Sequence, residues 1–328
     1  MNDLRTGLSY GDVLLVPKRS PVDSRSDVDL STRLTPSVEL TTPLVSAAMD
    51  TVTEAELAVE LSRAGGIGVL HRFLTVDEQA AQVEAVASAG EQVAAAVGIN
   101  EDYVARSAAL VAADVDALVV DVAHGHLERA LAAVEAIAER FPDTDLVAGN
   151  VATPAGVEDL AAAGADCVKV GIGPGSHCTT RKVAGAGVPQ LTAVDDCATA
   201  AESAGVTICA DGGIRTSGDA VKALLAGADT VMLGSLFAGT EAAPGAVVEV
   251  DGTRYKRSRG MATTAAAEDR EDKGADVGAD EGVEALTPYK GPVTTVAEEF
   301  CQGIRSGLSY CGGHTVDRAR DRADFIRV

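Results

Sequence analysis

The stretch Cys167-Val-Lys-Val-Gly-Ile-Gly-Pro-Gly-Ser-His-Cys-Thr-Thr-Arg181 joins a short apolar run to a glycine-rich loop. The run from Cys167 to Val170 predicts a buried β-strand, so the loop opens at the carboxyl end of that strand. Three glycines within five residues let the backbone adopt positive φ angles and approach a ligand closely. The sequence therefore predicts a ligand-binding loop with Cys178 at its tip.

The loop presents a thiol followed by two hydroxyls and a cation, at Cys178, Thr179, Thr180 and Arg181. A thiolate is a strong nucleophile, and nearby positive charge from a side chain such as Arg181 or His177 favours that form. Most free cysteines are instead small buried hydrophobic residues. We expect that ordinary role for the cysteines in apolar strand or helix patterns, Cys167, Cys197, Cys209, Cys301 and Cys311. For Cys178 the glycine-rich loop favours covalent chemistry.

Short apolar runs alternate with alanine-rich amphipathic stretches, which is the pattern of repeated βα units around a parallel sheet. We predict eight strands, at residues 43–49, 66–71, 93–97, 117–122, 145–149, 167–170, 206–210 and 230–234. We predict helices at residues 54–63, 76–89, 127–140, 154–163 and 217–225. Such a series closes into a (β/α)₈ TIM barrel, and an open doubly wound sheet is the alternative.

Polar or glycine residues recur just after most of these strands, as expected for the ligand-binding mouth of a barrel. They are Asp50, His71, Asp121, Asn150, Gly171, Asp211 and Gly234. This ring favours the barrel, and we expect residues 1–328 to form one domain. Glycine-flanked N–H groups at 211–213 and 234–235 follow the last two strands, where such barrels usually bind phosphate.

The formal net charge is −22 and the pI is near 4.5. Such a surface repels nucleic acid and anionic membranes, so neither is expected as a partner. The excess of Asp and Glu over Lys is typical of a halophilic protein. No apolar run is as long as a membrane span, and the amino terminus lacks a targeting pattern, which predicts a cytoplasmic protein. No CxxC or HxxxH spacing indicates a metal, and the thiols are expected to be reduced.

The alternation ends after the eighth strand. Residues 247–256 predict a hairpin with its turn at Asp251-Gly252. Residues 265–280 are polar, acidic and rich in small side chains, a composition that forms little rigid structure by itself. They predict either a surface loop or an active-site lid.

The loop from Gly171 to Arg181 resembles the active-site loop of the IMP dehydrogenase and GMP reductase family, and the resemblance extends from Leu8 to Val328. In that family the cysteine attacks C2 of a purine nucleotide, which implies this role for Cys178. His177 stands where the family usually has a small aliphatic residue. IMP dehydrogenases commonly carry two regulatory nucleotide-binding modules between the second and third strands. Residues 71–97 leave no room for them.

The resemblance assigns most of the mouth to the nucleotide. Asp211 would accept hydrogen bonds from the ribose hydroxyls, and the base would lie between Met49 on one side and Gly260 with Met261 on the other. Core filling is the ordinary alternative for the two methionines. The full predicted set of substrate-binding residues is Ser46, Met49, Ser176, Asp211, Gly212, Gly213, Gly234, Ser235, Gly260 and Met261.

A nicotinamide cofactor is implied beside the nucleotide. The resemblance assigns Asp121 to the cofactor ribose and Asn150 to the shared pocket, and Arg72 is a candidate for reading the 2′-phosphate that distinguishes NADP from NAD. Family members form tetramers, which implies a homotetramer. They often bind K⁺ through loop carbonyls, which indicates a monovalent cation at Gly171, Gly173 and Cys178.

The direction of the reaction depends on residues 258–290, which the resemblance identifies as a mobile flap. Dehydrogenases use a flap Arg-Tyr pair to activate water, but here Arg270 is followed by Glu271. The short flap favours a GMP reductase, in which Thr180 and Glu281 would relay the proton that releases ammonia. The predicted activity is therefore NADPH-dependent reduction of GMP to IMP.

Two other functions stay open. An IMP dehydrogenase that oxidises IMP with NAD is the main alternative, because several segments resemble dehydrogenase sequence. These are residues 43–54, 65–68, 211–215 and 237–241, together with Arg259. A catalytically idle nucleotide-binding protein is a remote alternative, since such a protein would not need both the thiol and the phosphate-binding glycines.

Overall fold

The computed structural model describes residues 4–100, 102–176, 178–261 and 283–328. In chain order the strands are β1 (Val13–Leu15), β2 (Thr32–Arg33), β3 (Glu39–Leu40), β4 (Leu44–Ser46), β5 (Ile67–Leu70), β6 (Val93–Val97), β7 (Ala117–Asp121), β8 (Asp145–Val151), β9 (Cys167–Val170), β10 (Thr207–Asp211), β11 (Thr230–Leu233), β12 (Val247–Val250), β13 (Thr253–Arg259), β14 (Glu284–Pro288) and β15 (Phe325–Arg327). The helices are α1 (Ala55–Arg63), α2 (Val76–Ser88), α3 (Tyr103–Ala112), α4 (Glu128–Arg140), α5 (Pro154–Ala162), α6 (Thr180–Val183), α7 (Gln190–Ala204), α8 (Ser217–Leu225), α9 (Ser235–Ala238), α10 (Val293–Cys311) and α11 (Val316–Arg320).

Strands β4 to β11 form a closed parallel barrel in sequence order, and β11 pairs with β4 to complete it. This confirms the predicted (β/α)₈ fold over the open sheet. The first strand is shorter than predicted, because the backbone turns at Ala47, whose carbonyl accepts a bond of 2.8 Å from the N–H of Met49. The turn brings Met49 and Asp50 to the carboxyl end of the barrel rather than extending β4.

A short hairpin, β2–β3, closes the amino-terminal end of the barrel. Its apolar side chains Leu34, Val38 and Leu40 are buried in the same cluster as the residues inside the barrel. Thr35 donates a hydrogen bond to Asp145 at the start of β8, and Thr207 at the start of β10 donates one to the carbonyl of Leu34. Because this end is filled, we expect ligands to bind at the opposite mouth.

Local sequence signals explain several of the surrounding helices. Helix α2 begins with a capping box, in which Thr75 accepts a bond from the N–H of Glu78 and Glu78 accepts one from the N–H of Thr75. It is the one helix between β5 and β6, as predicted, so no regulatory module is inserted there. Helix α7 starts after Pro189 and ends at Gly205, whose φ of 73° suits a glycine C-cap.

The predicted helices did not include the long helices α3, α7 and α10 or the short helices α6, α9 and α11. Helix α10 packs against α1 and α8 and thereby closes the outer ring of helices. The predicted hairpin at 247–256 is confirmed, with Val250 paired to Thr253 across the turn at Asp251 and Gly252. β14 adds a third strand to it. Among the described residues, no helix combines the length and hydropathy needed to span a membrane.

Candidate active site

The cysteine loop follows β9 at the open mouth and exposes Cys178 to solvent. The Cys178 Sγ lies 3.1 Å from the Thr180 Oγ1, within hydrogen-bond distance. Arg181 donates from Nε to the carbonyl of Ile172 at 3.1 Å and from Nη2 to the carbonyl of Val188 at 2.6 Å. The guanidinium therefore braces the two ends of the loop, a structural task that the sequence did not indicate.

The glycines after β10 pack directly against the cysteine loop. Gly212 and Gly213 have φ angles of 88° and 78°, which suit glycine. A Cβ at Gly212 would lie 2.9 Å from Pro174 Cγ, and a Cβ at Gly171 would lie 2.1 Å from the carbonyl oxygen of Asp211. The thiol loop and the predicted phosphate loop thus touch through positions that admit no side chain.

Gln190 connects the same two loops from below. Its Nε2 donates to the carbonyl of Val170 at 2.7 Å and to the carbonyl of Asp211 at 3.1 Å. The side chain is buried at the start of α7. Sequence reasoning missed this residue, because a glutamine at a helix start carries no signal for a role between two strands.

The methionines predicted to flank the base lie close to each other. The N–H of Asp50, next to Met49, donates to Met261 Sδ at 3.4 Å. A Cβ at Gly234 would lie 3.1 Å from Met49 Sδ, so the second predicted phosphate turn adjoins the same position. Gly260 is buried, and its N–H donates to the carbonyl of Val283.

An ion pair fastens the end of β13 to the turn that follows β4. Arg259 donates from Nε and Nη2 to Asp50 Oδ2 at 2.8 and 2.5 Å, and its N–H donates to Thr51 Oγ1 at 3.1 Å. This contact positions Gly260 and Met261 over the mouth. Asp50 was predicted only as a polar residue after the first strand, and its pairing with Arg259 crosses most of the chain.

A buried lysine joins two carboxylates on the opposite side of the mouth. Lys169 Nζ lies 2.5 Å from Asp211 Oδ2 and 3.2 Å from Asp121 Oδ1. Asn150 Nδ2 donates to the same Asp211 oxygen at 2.8 Å and to the carbonyl of Gly171 at 2.9 Å. Burial alone would lower the pKa of Lys169, but attraction to Asp121 and Asp211 raises it overall, so the ammonium stays charged.

The remaining predicted residues are distributed around the mouth. Ser46 is fully buried in β4, where Thr53 Oγ1 lies 2.8 Å from its hydroxyl. Ser176 is exposed in the turn before the cysteine, and Ser235 begins α9 directly after Gly234. The guanidinium of Arg72 lies 5.1 Å from the ring centre of Phe73, after β5. His177, Glu281 and flap residues 262–282 lie outside the described residues.

Comparison with known proteins agrees with this geometry. The family model described as IMP dehydrogenase / GMP reductase domain matches residues 7–328. The chain belongs to this family. Inosine-5'-monophosphate dehydrogenase of Nitrosopumilus maritimus is 37% identical over an alignment covering 99% of this chain and 96% of that protein. The enzyme of the same name from Aquifex aeolicus is 36% identical, with 99% and 94% covered.

Relatives with the other activity are equally similar. A GMP reductase of Leishmania donovani is 36% identical, with 99% of this chain and 95% of that protein covered. The alignment to the Nitrosopumilus protein runs over 461 positions, whereas this member of the IMP dehydrogenase / GMP reductase family has 328 residues. That relative therefore carries a long segment that this chain lacks.

Cys178 is expected to be the thiol that reacts in the native protein, because it is exposed and the other five are buried. Burial raises the pKa of Cys197 to about 12, that of Cys209 to about 12 and that of Cys301 to about 11, so these thiols stay protonated near neutral pH. Iodoacetamide should add one group, at Cys178, by peptide mass spectrometry. The urea-unfolded protein should add six. Native labelling at a buried thiol would contradict this assignment.

Proposed function

We propose that this protein is a GMP reductase, which converts GMP to IMP and ammonia with NADPH. The observation that carries the proposal is the exposed Cys178 Sγ at 3.1 Å from the Thr180 hydroxyl, on a loop packed against glycines suited to phosphate. A thiol with a neighbouring hydroxyl can combine nucleophilic attack with proton transfer.

The chemistry assigned to these residues balances with one hydride and one proton. The Cys178 thiolate forms a bond to C2 of GMP, and the bond from C2 to the amino nitrogen breaks. Thr180, together with Glu281, would pass the proton that lets this nitrogen leave as ammonia. After C2 has received hydride, its bond to Sγ breaks, which returns the thiolate and releases IMP.

The residues at the ends of β7 and β8 fit a nicotinamide cofactor. Asp121 is 29% exposed at the mouth, and Lys169 holds its Oδ1. A carboxylate held in this way is a suitable acceptor for two ribose hydroxyls, while Asn150 Oδ1 has no hydrogen-bond partner among the described residues. The cofactor, when bound, supplies the hydride. Arg72 is the residue that we propose reads its 2′-phosphate.

An IMP dehydrogenase is the second candidate, and two observations favour it. Several of the similar relatives carry that name, including those from Nitrosopumilus and Aquifex. Arg259, which resembles the dehydrogenase residue, is bonded to Asp50 at the mouth. We weight the flap more heavily, because Arg270-Glu271 lacks the tyrosine that a hydrolytic step would use and residues at the reacting atoms decide the outcome.

A paired assay distinguishes the two activities. At molar salt, we expect GMP with NADPH to lose absorbance at the cofactor wavelength and to release ammonia in equal amount. IMP with NAD should give little reaction, because Arg270 is followed by Glu271 where the Arg-Tyr pair that activates water in dehydrogenases would have its tyrosine. The control is a sample denatured before substrate is added. Robust formation of xanthosine monophosphate from IMP would reverse the assignment.

A further inference from the structure

We infer that Lys169 is a positioning residue for both ligands. Its single ammonium group orients Asp211, which would bind the nucleotide, and Asp121, which would bind the cofactor. This inference rests on the proposed function for the identity of the two ligands. The contacts themselves are the 2.5 Å and 3.2 Å pairs to Asp211 Oδ2 and Asp121 Oδ1.

The position of Lys169 is unusual for a lysine. It lies in β9 between Val168 and Val170, and its side chain is 1% exposed inside the barrel. Burying an ammonium is costly unless it is paired. An apolar residue would fill this space at lower cost, as Met232 does in β11, where its Sδ lies 3.5 Å from Lys169 Nζ. The lysine therefore has a task that packing alone does not require.

The neighbouring strand is shaped around this lysine. A Cβ at Gly149 would lie 2.5 Å from Lys169 Cβ and 2.7 Å from its carbonyl oxygen. Any side chain at position 149 would push β9 away and move the Lys169 ammonium from Asp121 and Asp211. Gly149 also precedes Asn150, whose amide bonds the same Asp211 oxygen as Lys169.

The bonding pattern leaves each carboxylate able to accept from a ligand. Lys169 and Asn150 both bond to Oδ2 of Asp211, while Oδ1 accepts no hydrogen bond from any described residue. The side chains of Asp211 and Asp121 are 23% and 29% exposed. Without the ammonium, two carboxylates at the same place would repel each other and turn away from these orientations. Removing the Lys169 ammonium should therefore weaken the binding of both the nucleotide and the cofactor.

The test compares Lys169→Met with Asp211→Asn and Asp121→Asn in the full chain. GMP affinity is measured by calorimetry and the KM for NADPH by steady-state kinetics. We expect Lys169→Met to raise the GMP dissociation constant and the KM for NADPH about tenfold or more each, as for loss of a charged hydrogen bond. Asp211→Asn should mainly lower the affinity for GMP, and Asp121→Asn should mainly raise the KM for NADPH.

Two further readouts separate positioning from a general structural role. In the Asp211→Asn background, Lys169→Met should change GMP affinity less than about twofold, because the lysine acts on the nucleotide through Asp211. The alkylation rate of Cys178 should also stay within about twofold of the unmodified protein, since a loop that keeps its conformation keeps its thiol reactivity. Additive losses, or a matching loss of alkylation, would overturn the inference.

The design keeps the two proposals separable. If the unmodified protein binds neither GMP nor IMP, the proposed function is wrong whatever Lys169 does. If it binds GMP and Lys169→Met weakens only one ligand, the proposed function stands and this inference falls. Should Lys169→Met fail to fold, Lys169→Gln, which keeps a hydrogen-bond donor, replaces it. Failure of both variants to fold would make Lys169 a stability residue and overturn the inference.

Discussion

Replacing Cys178 with alanine is expected to abolish turnover while leaving nucleotide binding nearly intact. In the proposed mechanism this thiol supplies the atom that bonds to C2, and no other thiol is exposed among the six cysteines. Removal of a nucleophile typically lowers kcat by about 10³-fold or more. The glycines and carboxylates that would bind the nucleotide are unchanged, so the GMP dissociation constant should move by less than about threefold. Both quantities are accessible by kinetics and calorimetry.

Cys197→Ala provides a matched control, because it removes a thiol that is buried in α7 instead of one at the mouth. It should reduce the free energy of unfolding by about 1 kcal/mol through lost packing and leave kcat unchanged. Turnover by Cys178→Ala within tenfold of the unmodified protein would exclude the covalent mechanism. Equal losses in both variants would indicate that the effect is on folding.

Gly171→Ala is expected to have the second largest effect, because the position has no room for a side chain. A Cβ there would lie 2.1 Å from the carbonyl oxygen of Asp211 and 2.9 Å from Gln190 Nε2. The φ of 153° adds backbone strain for an L-residue. Overpacking of this kind costs about 2–3 kcal/mol of unfolding free energy. It should also separate the cysteine loop from the predicted phosphate loop at residues 211–213 and lower kcat about 10²-fold.

Gly205→Ala separates backbone strain from the clash. Gly205 also has a positive φ, of 73°, but no atom outside its neighbours lies within 4 Å of its Cβ position. It caps the end of α7, away from the mouth. We expect a loss of about 1 kcal/mol with unchanged kcat, measured by urea unfolding and steady-state assay. If the two variants lose equal stability and keep equal activity, the contact between the loops is unimportant.

The sequence was a good guide wherever a signal repeats locally. The eight barrel strands, the hairpin turn at Asp251-Gly252 and the loop that exposes Cys178 were all predictable from apolar runs and glycine patterns. The end of β4 was misjudged, because Ala47 and Met49 continue the apolar run while the backbone already turns. Helix α10 was missed, since its role in closing the outer ring depends on α1 and α8.

Side-chain partners across the barrel were much less predictable. Lys169 looked like one polar residue in an apolar strand, and nothing in the pattern identified Asp121 and Asp211 as its partners. Arg181 seemed available to the thiol, yet its guanidinium donates to the carbonyls of Ile172 and Val188. The pairing of Arg259 with Asp50 joins residues that are 209 positions apart.

By itself, the sequence determined that this protein is a βα barrel with a cysteine on a glycine-rich loop. Periodicity and glycine placement act over a few residues, so they can be recognised without knowing the rest of the chain. Only the tertiary structure decided that Asp121 and Asp211 both pair with the ammonium of Lys169 and that Gly171 contacts Asp211. Those contacts exist because closing the barrel brings the carboxyl ends of β7, β9 and β10 together. The distances between these ends depend on how the neighbouring strands of the barrel pack.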